Sequence, residues 1–186
     1  MDTRNLVVAR YLDGRTLKGV THDFTALRPS LHIEIEDSHE ILEVRMRQLK
    51  ALFFVKSFDG FPERTDVRGF IEGPHENAQG RKIAVRFRDG ELMCGYTMSW
   101  TPDREGFFMF PADDGSNNDR VYVVTAATAE VKAGPAAEAL AQRMLNAQAP
   151  AKTPPGTAQP ASPQGPRIAP TTLGPRAANK PRSDAA

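Results

Sequence analysis

The chain has 186 residues, with 24 lysines and arginines against 23 aspartates and glutamates, and a single cysteine. This near balance of charge does not by itself indicate a nucleic-acid partner, and one cysteine excludes an intramolecular disulfide framework and fits a reducing compartment. The N-terminus reads MDTRNLVVAR and the chain has no apolar run long enough to span a bilayer, so we expect a soluble cytoplasmic protein without membrane insertion.

Charge and proline content divide the chain near residue 133. Residues 1–132 carry 18 Lys and Arg against 21 Asp and Glu, a net charge of −3, whereas residues 133–186 carry 6 against 2, a net charge of +4. Ten of the 15 prolines also lie after residue 133. We therefore expect a mildly acidic body followed by a basic C-terminal segment.

Two stretches of the body repeat each other at an offset of 76 residues. Residues 7–24 read VVARYLDGRTLKGVTHDF and residues 83–100 read IAVRFRDGELMCGYTMSW. Each copy contains an Asp-Gly pair and an interior glycine, and these are Asp13, Gly14 and Gly19 in the first copy and Asp89, Gly90 and Gly95 in the second. A repeat of this kind predicts two similar structural units.

Each unit has the pattern of five short strands. Alternating apolar residues predict the first strand, and the Asp-Gly pair after it predicts a type I′ hairpin turn with positive φ at both residues. The interior glycine of the second strand is typical of a bulge or a sharp bend. The predicted strands cover residues 6–12, 16–24, 31–36, 43–47, 49–55, 83–87, 91–100, 107–110, 120–125 and 128–132.

Two runs, at residues 52–55 and 107–110, are apolar on both faces, which indicates strands buried on both sides. A single unit of this size buries too little surface to be stable alone, so we expect the two units to pack together through these runs. The glycines and prolines of residues 59–80 indicate a connector, with a short strand at 67–71.

After residue 132 the pattern changes to helix formers. Pro135 suits the first turn of a helix, and the residues up to Gln148 favour a short helix that needs to dock to be stable. From residue 150 the chain has almost no large apolar side chain and is expected to be disordered.

We therefore predict an all-β fold of two tandem small β-barrels packed as one unit, followed by a short helix and a disordered tail. Residues 1–58 form the first barrel, 59–80 the connector, 81–132 the second barrel, 133–149 the helix, and 150–186 the tail.

The order of strand, Asp-Gly turn, glycine-containing strand and aromatic residue resembles the Sm-like and SH3-like small barrels, here in tandem. Sm-like RNA binding uses an Arg-Gly or Lys-Gly pair in the fourth strand, where this chain has Arg45-Met46-Arg47 and Arg120-Val121-Tyr122. The span 7–131 also resembles an uncharacterised bacterial family through LKALFFVKSFDG, VRFRDGE, GFFMFPAD and a VYVV run. That resemblance implies an accessory or regulatory module.

The sequence has no recognisable catalytic or metal-binding motif. His22, His32, His39 and His75 lack the spacing of metal ligands, and no phosphate-binding loop or nucleophile elbow is present. We interpret Cys94 as a half-buried small residue and not as a nucleophile. The prediction is a protein that is not an enzyme and has no cofactor or metal.

The polar loop at residues 113–120 is the leading candidate for a binding segment, since Asn117, Asn118 and Arg120 are concentrated there between apolar strands. The same Asp-Gly-Ser-Asn-Asn sequence is also ordinary turn chemistry. Arg64 and Arg68 match the RxxxR half of the PilZ cyclic-di-GMP motif, in which two arginines clamp a phosphodiester.

Arg45 and Arg47 form a candidate RNA-binding face. Their strand is expected to pair with the strand that carries Glu34 and Glu36, so cross-strand ion pairs explain the same arginines without a ligand.

The leading hypothesis is a non-catalytic interaction or regulatory module that binds a protein partner, with the C-terminal tail as a second contact. The alternatives are nucleic-acid (RNA) binding of Sm-like type and a cyclic-dinucleotide receptor of PilZ type.

Overall fold

A computed structural model describes residues 5–71, 73 and 80–148. These residues contain ten strands, two short 3-10 helices and one α-helix. The strands are β1 (Asn5–Tyr11), β2 (Thr16–Thr21), β3 (Ser30–Ile35), β4 (Ile41–Arg45), β5 (Leu49–Val55), β6 (Arg81–Phe87), β7 (Leu92–Thr97), β8 (Gly106–Pro111), β9 (Asn118–Val124) and β10 (Thr128–Ala133). The α-helix is α1 (Pro135–Gln148). The predicted disordered tail, residues 150–186, and His75 lie outside the described residues.

All ten described strands belong to one antiparallel sheet, in the order β10-β6-β7-β8-β9-β5-β1-β2-β3-β4. The all-β prediction is confirmed at this level. The predicted pair of barrels is not, because the sheet is continuous through the β5–β9 ladder and does not close. The physical reason is that β5 is buried along its whole length and forms backbone ladders on both edges, with β1 and with β9.

The two halves of the sheet share one pattern of strand pairing. Asn5 lies opposite Thr21 and Arg81 opposite Thr97, which reproduces the offset of 76 seen in the sequence. In the fourth and fifth strands the offset becomes 79, because three more residues separate Pro111 from Arg120 than separate the equivalent residues Ile35 and Ile41. Each strand residue of the first half therefore has a defined equivalent in the second.

The two Asp-Gly hairpins do not have the predicted type I′ turn. Only the glycines have positive φ, +89° at Gly14 and +88° at Gly90, and the aspartates before them do not. The N–H of Tyr11 donates to the carbonyl of Arg15 (2.9 Å), which gives a three-residue loop closed by a glycine bulge. The Asp13 carboxylate accepts the N–H of Arg15 (3.1 Å). This side-chain hydrogen bond stabilises the turn without a positive φ at Asp13.

The interior glycines Gly19 and Gly95 mark close approach of two backbones, not bulges. The pairing register does not shift at either position. A Cβ atom at Gly19 would lie 2.1 Å from the carbonyl oxygen of Glu34, and one at Gly95 would lie 2.1 Å from that of Phe110. Glycine is therefore required because any side chain would push β2 from β3, or β7 from β8.

Apolar clusters cover both faces of the sheet at the centre of the molecule. Phe53 and Phe107 belong to one cluster, and Phe54 and Phe108 pack with the other, so both predicted runs do supply side chains to two faces. The contact that joins the halves is nevertheless a backbone ladder, in which Phe53 lies opposite Val121. Long-range pairing of this kind leaves no local signature in the sequence.

A buried lysine adds charged contacts between the halves. The side chain of Lys50 is only 9% exposed; it binds Asp89 and also donates to Glu91 at 2.5 Å. Its Nζ lies 4.5 Å from the ring centroid of Phe87, and Arg10 lies 3.4 Å from the same Glu91 carboxylate. The hydrogen bond from Lys50 holds the pKa of Asp89 below its usual value.

The helix α1 docks on β6, β7 and β10 of the second half. Pro135 is its first residue, as predicted. Ala137, Leu140 and Ala141 are buried in a third apolar cluster together with Tyr96 of β7. This docking supplies the tertiary packing that so short a helix needs.

In the described part of the chain the sheet has two outer edges, β4 and β10. By the pairing register β10 is the equivalent of β5, yet Glu130 and Lys132 stand where β5 has Ala51 and Phe53. The edge strand β10 therefore has charged residues at positions where β5, which joins the two halves, has apolar residues.

Candidate functional site

Asp113 fixes the connector to the loop after β8. Its buried carboxylate accepts hydrogen bonds from Arg64 Nη2 (2.5 Å) and from the N–H groups of Val67 (2.8 Å) and Gly115 (3.1 Å). Burial raises the pKa of Asp113, but the hydrogen bonds from Arg64 and Val67 outweigh it and leave the pKa below its usual value. Because a carboxylate takes the N–H of Val67 and Gly69 turns the backbone with φ +91°, the strand predicted at 67–71 does not form.

The predicted RxxxR pair lies beside the polar loop, and Arg64 is already bound there by side chains of the protein. Arg64 donates to Asp66 (2.8 Å) as well as to Asp113. Arg64 also packs so closely on Gly115 that a Cβ there would lie 2.6 Å from its Nη2 atom. Arg68 lines a neighbouring groove. The structure thus brings the two segments together, and carboxylates already hold the Arg64 guanidinium group.

The two predicted asparagines are engaged within the protein. Asn117 Nδ2 donates to the carbonyl of Ser57 (2.8 Å), its Oδ1 accepts the N–H of Ser57 (3.2 Å), and its own carbonyl accepts the N–H of Lys56 (2.8 Å). Asn118 Nδ2 donates to the hydroxyl of Ser116 (3.1 Å). The contacts of Asn117 fasten the loop to Lys56 and Ser57, just after β5, whereas the contact of Asn118 stays within its own segment.

Arg120 covers aromatic rings. Its guanidinium carbon lies 4.5 Å from the ring centroid of Phe54 and 5.3 Å from that of Phe108, in cation–π geometry. Its Nε atom is buried and has no hydrogen-bond partner among the residues that the structure describes. Arg120 therefore packs with its guanidinium group against the aromatic rings of the sheet.

A groove of about 530 Å³ lies between the connector, β7 and the polar loop, and Arg68 and Asn118 line it. Cys94 lies in its wall with 9% exposure. Burial raises the pKa of the Cys94 thiol to about 12, so the thiolate is scarce at neutral pH.

A second groove, of about 480 Å³, lies between equivalent segments of the two halves, and we call it the arginine groove. Three exposed arginines, Arg28, Arg45 and Arg47, stand on its rim. Its apolar lining includes Met46 and the largely buried side chains of Tyr122 and Val124. Glu43 and Glu105 also line it, so the charged lining has three cations and two anions.

The three rim arginines form no ion pair with any described residue. The predicted cross-strand pairs are absent because Arg45 lies opposite Ser30, while Glu34 lies opposite Ile41. Glu34 instead contacts His39 Nδ1 at 3.0 Å. The register thus places Glu34, the acidic residue of β3, away from the arginines that it was expected to neutralise.

The repeat itself carries a signal for the arginine groove. By the offset of 79, Arg45 is equivalent to Val124 and Arg47 to Ala126, so the same surface is basic in one half and apolar in the other. Sequence reasoning singled out Arg45 and Arg47 but missed Arg28 and Tyr122. A comparison of equivalent positions in the two copies shows that arginines in the first half are replaced by apolar residues in the second. It does not show that both segments line one groove.

The histidines considered in the sequence lie at polar or exposed positions where the structure describes them. His32 Nδ1 lies 2.7 Å from Asp23, and His22 is exposed. Across residues 5–71, 73 and 80–148, no three His, Cys, Asp or Glu residues are grouped so that they could hold a metal ion. In the same part of the chain no helix has the length and apolar character needed to cross a membrane.

The fold defines an all-β protein, built on one open sheet with a helix docked on one of its halves. The family of unknown function DUF6982 matches residues 3–134, which is most of the folded body, and the chain belongs to that family. No curated protein and no solved structure matches the chain. The predicted membership of an uncharacterised domain family is therefore confirmed, whereas the quoted motifs and the likeness to small barrels stay predictions.

Proposed function

We propose that the chain is a non-catalytic module that binds a protein partner at the arginine groove. The observation that carries this proposal is the combination of an open groove with an apolar lining and three rim arginines that have no partner in the described residues. Leu27, which lies in the chain between two groove residues, adds a side chain that is 95% exposed. Exposed apolar surface rimmed by charge is typical of a protein interface.

We treat each half as a small-barrel unit of Sm-like or SH3-like type, because both halves repeat one strand order and one pairing register. In this view the groove is a joint between two such units, and binding sites are common at such joints. The single cysteine supports a cytoplasmic location, and the basic tail is proposed as a second contact.

RNA binding is the second candidate, and the same rim arginines favour it, since unpaired arginines bind phosphates. A cyclic-dinucleotide receptor is the least favoured of the three candidates. Its clamp would require Arg64, whose guanidinium is already held by Asp66 and Asp113.

Photo-crosslinking in the source organism tests the proposal. Leu27 of the full-length chain is replaced by a photo-reactive phenylalanine analogue, with the exposed Leu12 of the first hairpin turn as the matched control. We expect a discrete protein adduct from position 27 that is absent from position 12 and is lost when Arg45 and Arg47 are changed to Glu. No adduct, equal adducts at both positions, or a nuclease-sensitive adduct would count against a protein partner at this groove.

A further inference from the structure

We infer that the arginine groove takes an acidic peptide segment that carries an apolar anchor side chain. This inference rests on the proposed function and specifies the chemistry of the partner. It uses the charge of the rim, the character of the lining and the composition of the chain's own tail.

The rim has the chemistry to bind carboxylates. Arg28, Arg45 and Arg47 are exposed and have no carboxylate partner in the described residues, in contrast to Arg10, which is paired with Glu91. An arginine fork binds a carboxylate through two parallel hydrogen bonds. A segment with aspartate or glutamate side chains would satisfy donors that the fold leaves free.

The lining has the chemistry to bind an apolar side chain. Tyr122 and Val124 are 4% and 5% exposed, and Met46 is half-buried beside them. The hydroxyl of Tyr122 reaches the carbonyl of Ala26 only at 3.5 Å, which is long for an O–H···O bond and leaves this group able to bond a partner. A tyrosine with an apolar ring and a weakly bonded polar tip is a common anchor contact at interfaces.

The signs of the charges favour a peptide over RNA. Glu43 and Glu105 line the same groove, and residues 1–132 have a net charge of −3, so a continuous row of phosphates would meet repulsion as well as attraction. A peptide can place its few carboxylates at the arginines and keep uncharged atoms near the glutamates.

The chain's own tail does not fit as the occupant. Residues 150–186 carry five Lys and Arg against one Asp, a net charge of +4, and would be repelled by the basic rim. Charge complementarity therefore selects a separate, acidic partner.

Fluorescence anisotropy with the full-length chain tests the inference. The probes are a short labelled peptide in which Glu and Leu alternate, a Gln-Leu counterpart, a Glu-Ser counterpart, and a labelled oligouridine. We expect the Glu-Leu peptide to bind at least about tenfold more tightly than either counterpart, and an Arg45→Glu/Arg47→Glu variant to lose about tenfold or more in affinity. Arg88→Glu, a charge reversal at an exposed arginine outside the groove, should change the affinity less than about twofold.

Several outcomes would overturn the inference: equal binding of the Gln-Leu or Glu-Ser peptide, unchanged binding by the double variant, or binding of oligouridine alone. Self-association of the chain that the double variant abolishes would assign the groove to a second copy instead. If position 27 gives a protein adduct while no acidic peptide binds, the proposed function stands and this inference fails. If neither experiment gives a signal, both fail.

Discussion

Asp113 is a buried carboxylate whose charge is held by donors from two segments. Arg64 and Val67 of the connector and Gly115 of its own loop all donate to it. Since these hydrogen bonds favour the ionised form, the pKa of Asp113 lies below its usual value. The contacts of Arg64 and Val67 with Asp113 therefore depend on the pH, because they require the ionised carboxylate.

We predict that part of the acid sensitivity of the fold comes from Asp113. Its stabilising effect is fully present above the unfolded aspartate pKa of about 3.9 and is lost as the pH falls through the lower folded pKa. The Asp113→Asn variant should be less stable by about 2 kcal/mol at neutral pH and should lose less stability in acid, because asparagine does not titrate. Urea unfolding at a series of pH values measures both effects.

The matched control for that experiment is Asp119→Asn, which removes an exposed carboxylate of the neighbouring strand. It should keep the wild-type stability and pH dependence. A variant of Asp113 whose pH dependence equals that of the wild type would show that other carboxylates govern the acid response.

The rim arginines differ from several other cations of the molecule, which the fold uses in ion pairs. Lys50, Lys82 and Arg143 each lie within ion-pair distance of a carboxylate, and these contacts join strand to turn or helix to sheet. The arginines of the groove have no such structural use in the described residues. Their substitution should therefore change binding while leaving the fold intact, which makes them suitable probes.

At the scale of the elements, the second strand of each half is constrained because the backbone of the third strand lies close to its glycine. We predict that Gly95→Ala destabilises the protein by about 3 kcal/mol, since the new Cβ would lie 2.1 Å from a backbone oxygen that cannot move without breaking the β7–β8 pairing. Chemical denaturation of the purified variant measures the loss.

Gly14→Ala separates this steric effect from backbone strain. Gly14 has φ +89°, but a Cβ atom added to it would meet no other atom within 4 Å, so its substitution should cost only about 1 kcal/mol. Equal losses at Gly14 and Gly95 would contradict the role of close backbone approach.

Local patterns in the sequence predicted the strands and hairpins well, but they predicted the contacts between distant strands and loops poorly. The strands follow from alternating apolar residues, and the hairpins from Asp-Gly, because both signals lie within a few residues. The β5–β9 ladder and the pairing of Arg64 with Asp113 join segments far apart in the sequence, so no local pattern contains them. The expected ion pairs of Arg45 failed for a similar reason, since they depend on the register between β3 and β4.

For the whole molecule, the β5–β9 joint predicts that neither half is stable alone. A fragment of residues 1–58 would expose the apolar β5 along its unpaired edge, which favours aggregation. We expect this fragment to be unfolded or insoluble by itself and to be recovered as a soluble complex when co-expressed with residues 59–186. Gel filtration and amide NMR spectra of the two preparations measure this.

A chain carrying a protease site between residues 73 and 80 provides the control. After cleavage the two pieces should remain together, because the backbone ladder and the Lys50 contacts do not depend on an intact connector. A stable, soluble and folded monomer of residues 1–58 would contradict the prediction.

The charged outer edges also bear on whether such a sheet can grow by pairing with further chains. Two halves joined by the fourth strand of one and the fifth strand of the other make a head-to-tail contact, and a contact of that kind repeats without limit if both free ends keep the same surface. Here β10 has Glu130 and Lys132 in place of Ala51 and Phe53, and β4 has Glu43 in place of Tyr122. We therefore expect these charged substitutions to oppose further pairing at the outer edges, although the same geometry would otherwise favour an open-ended filament.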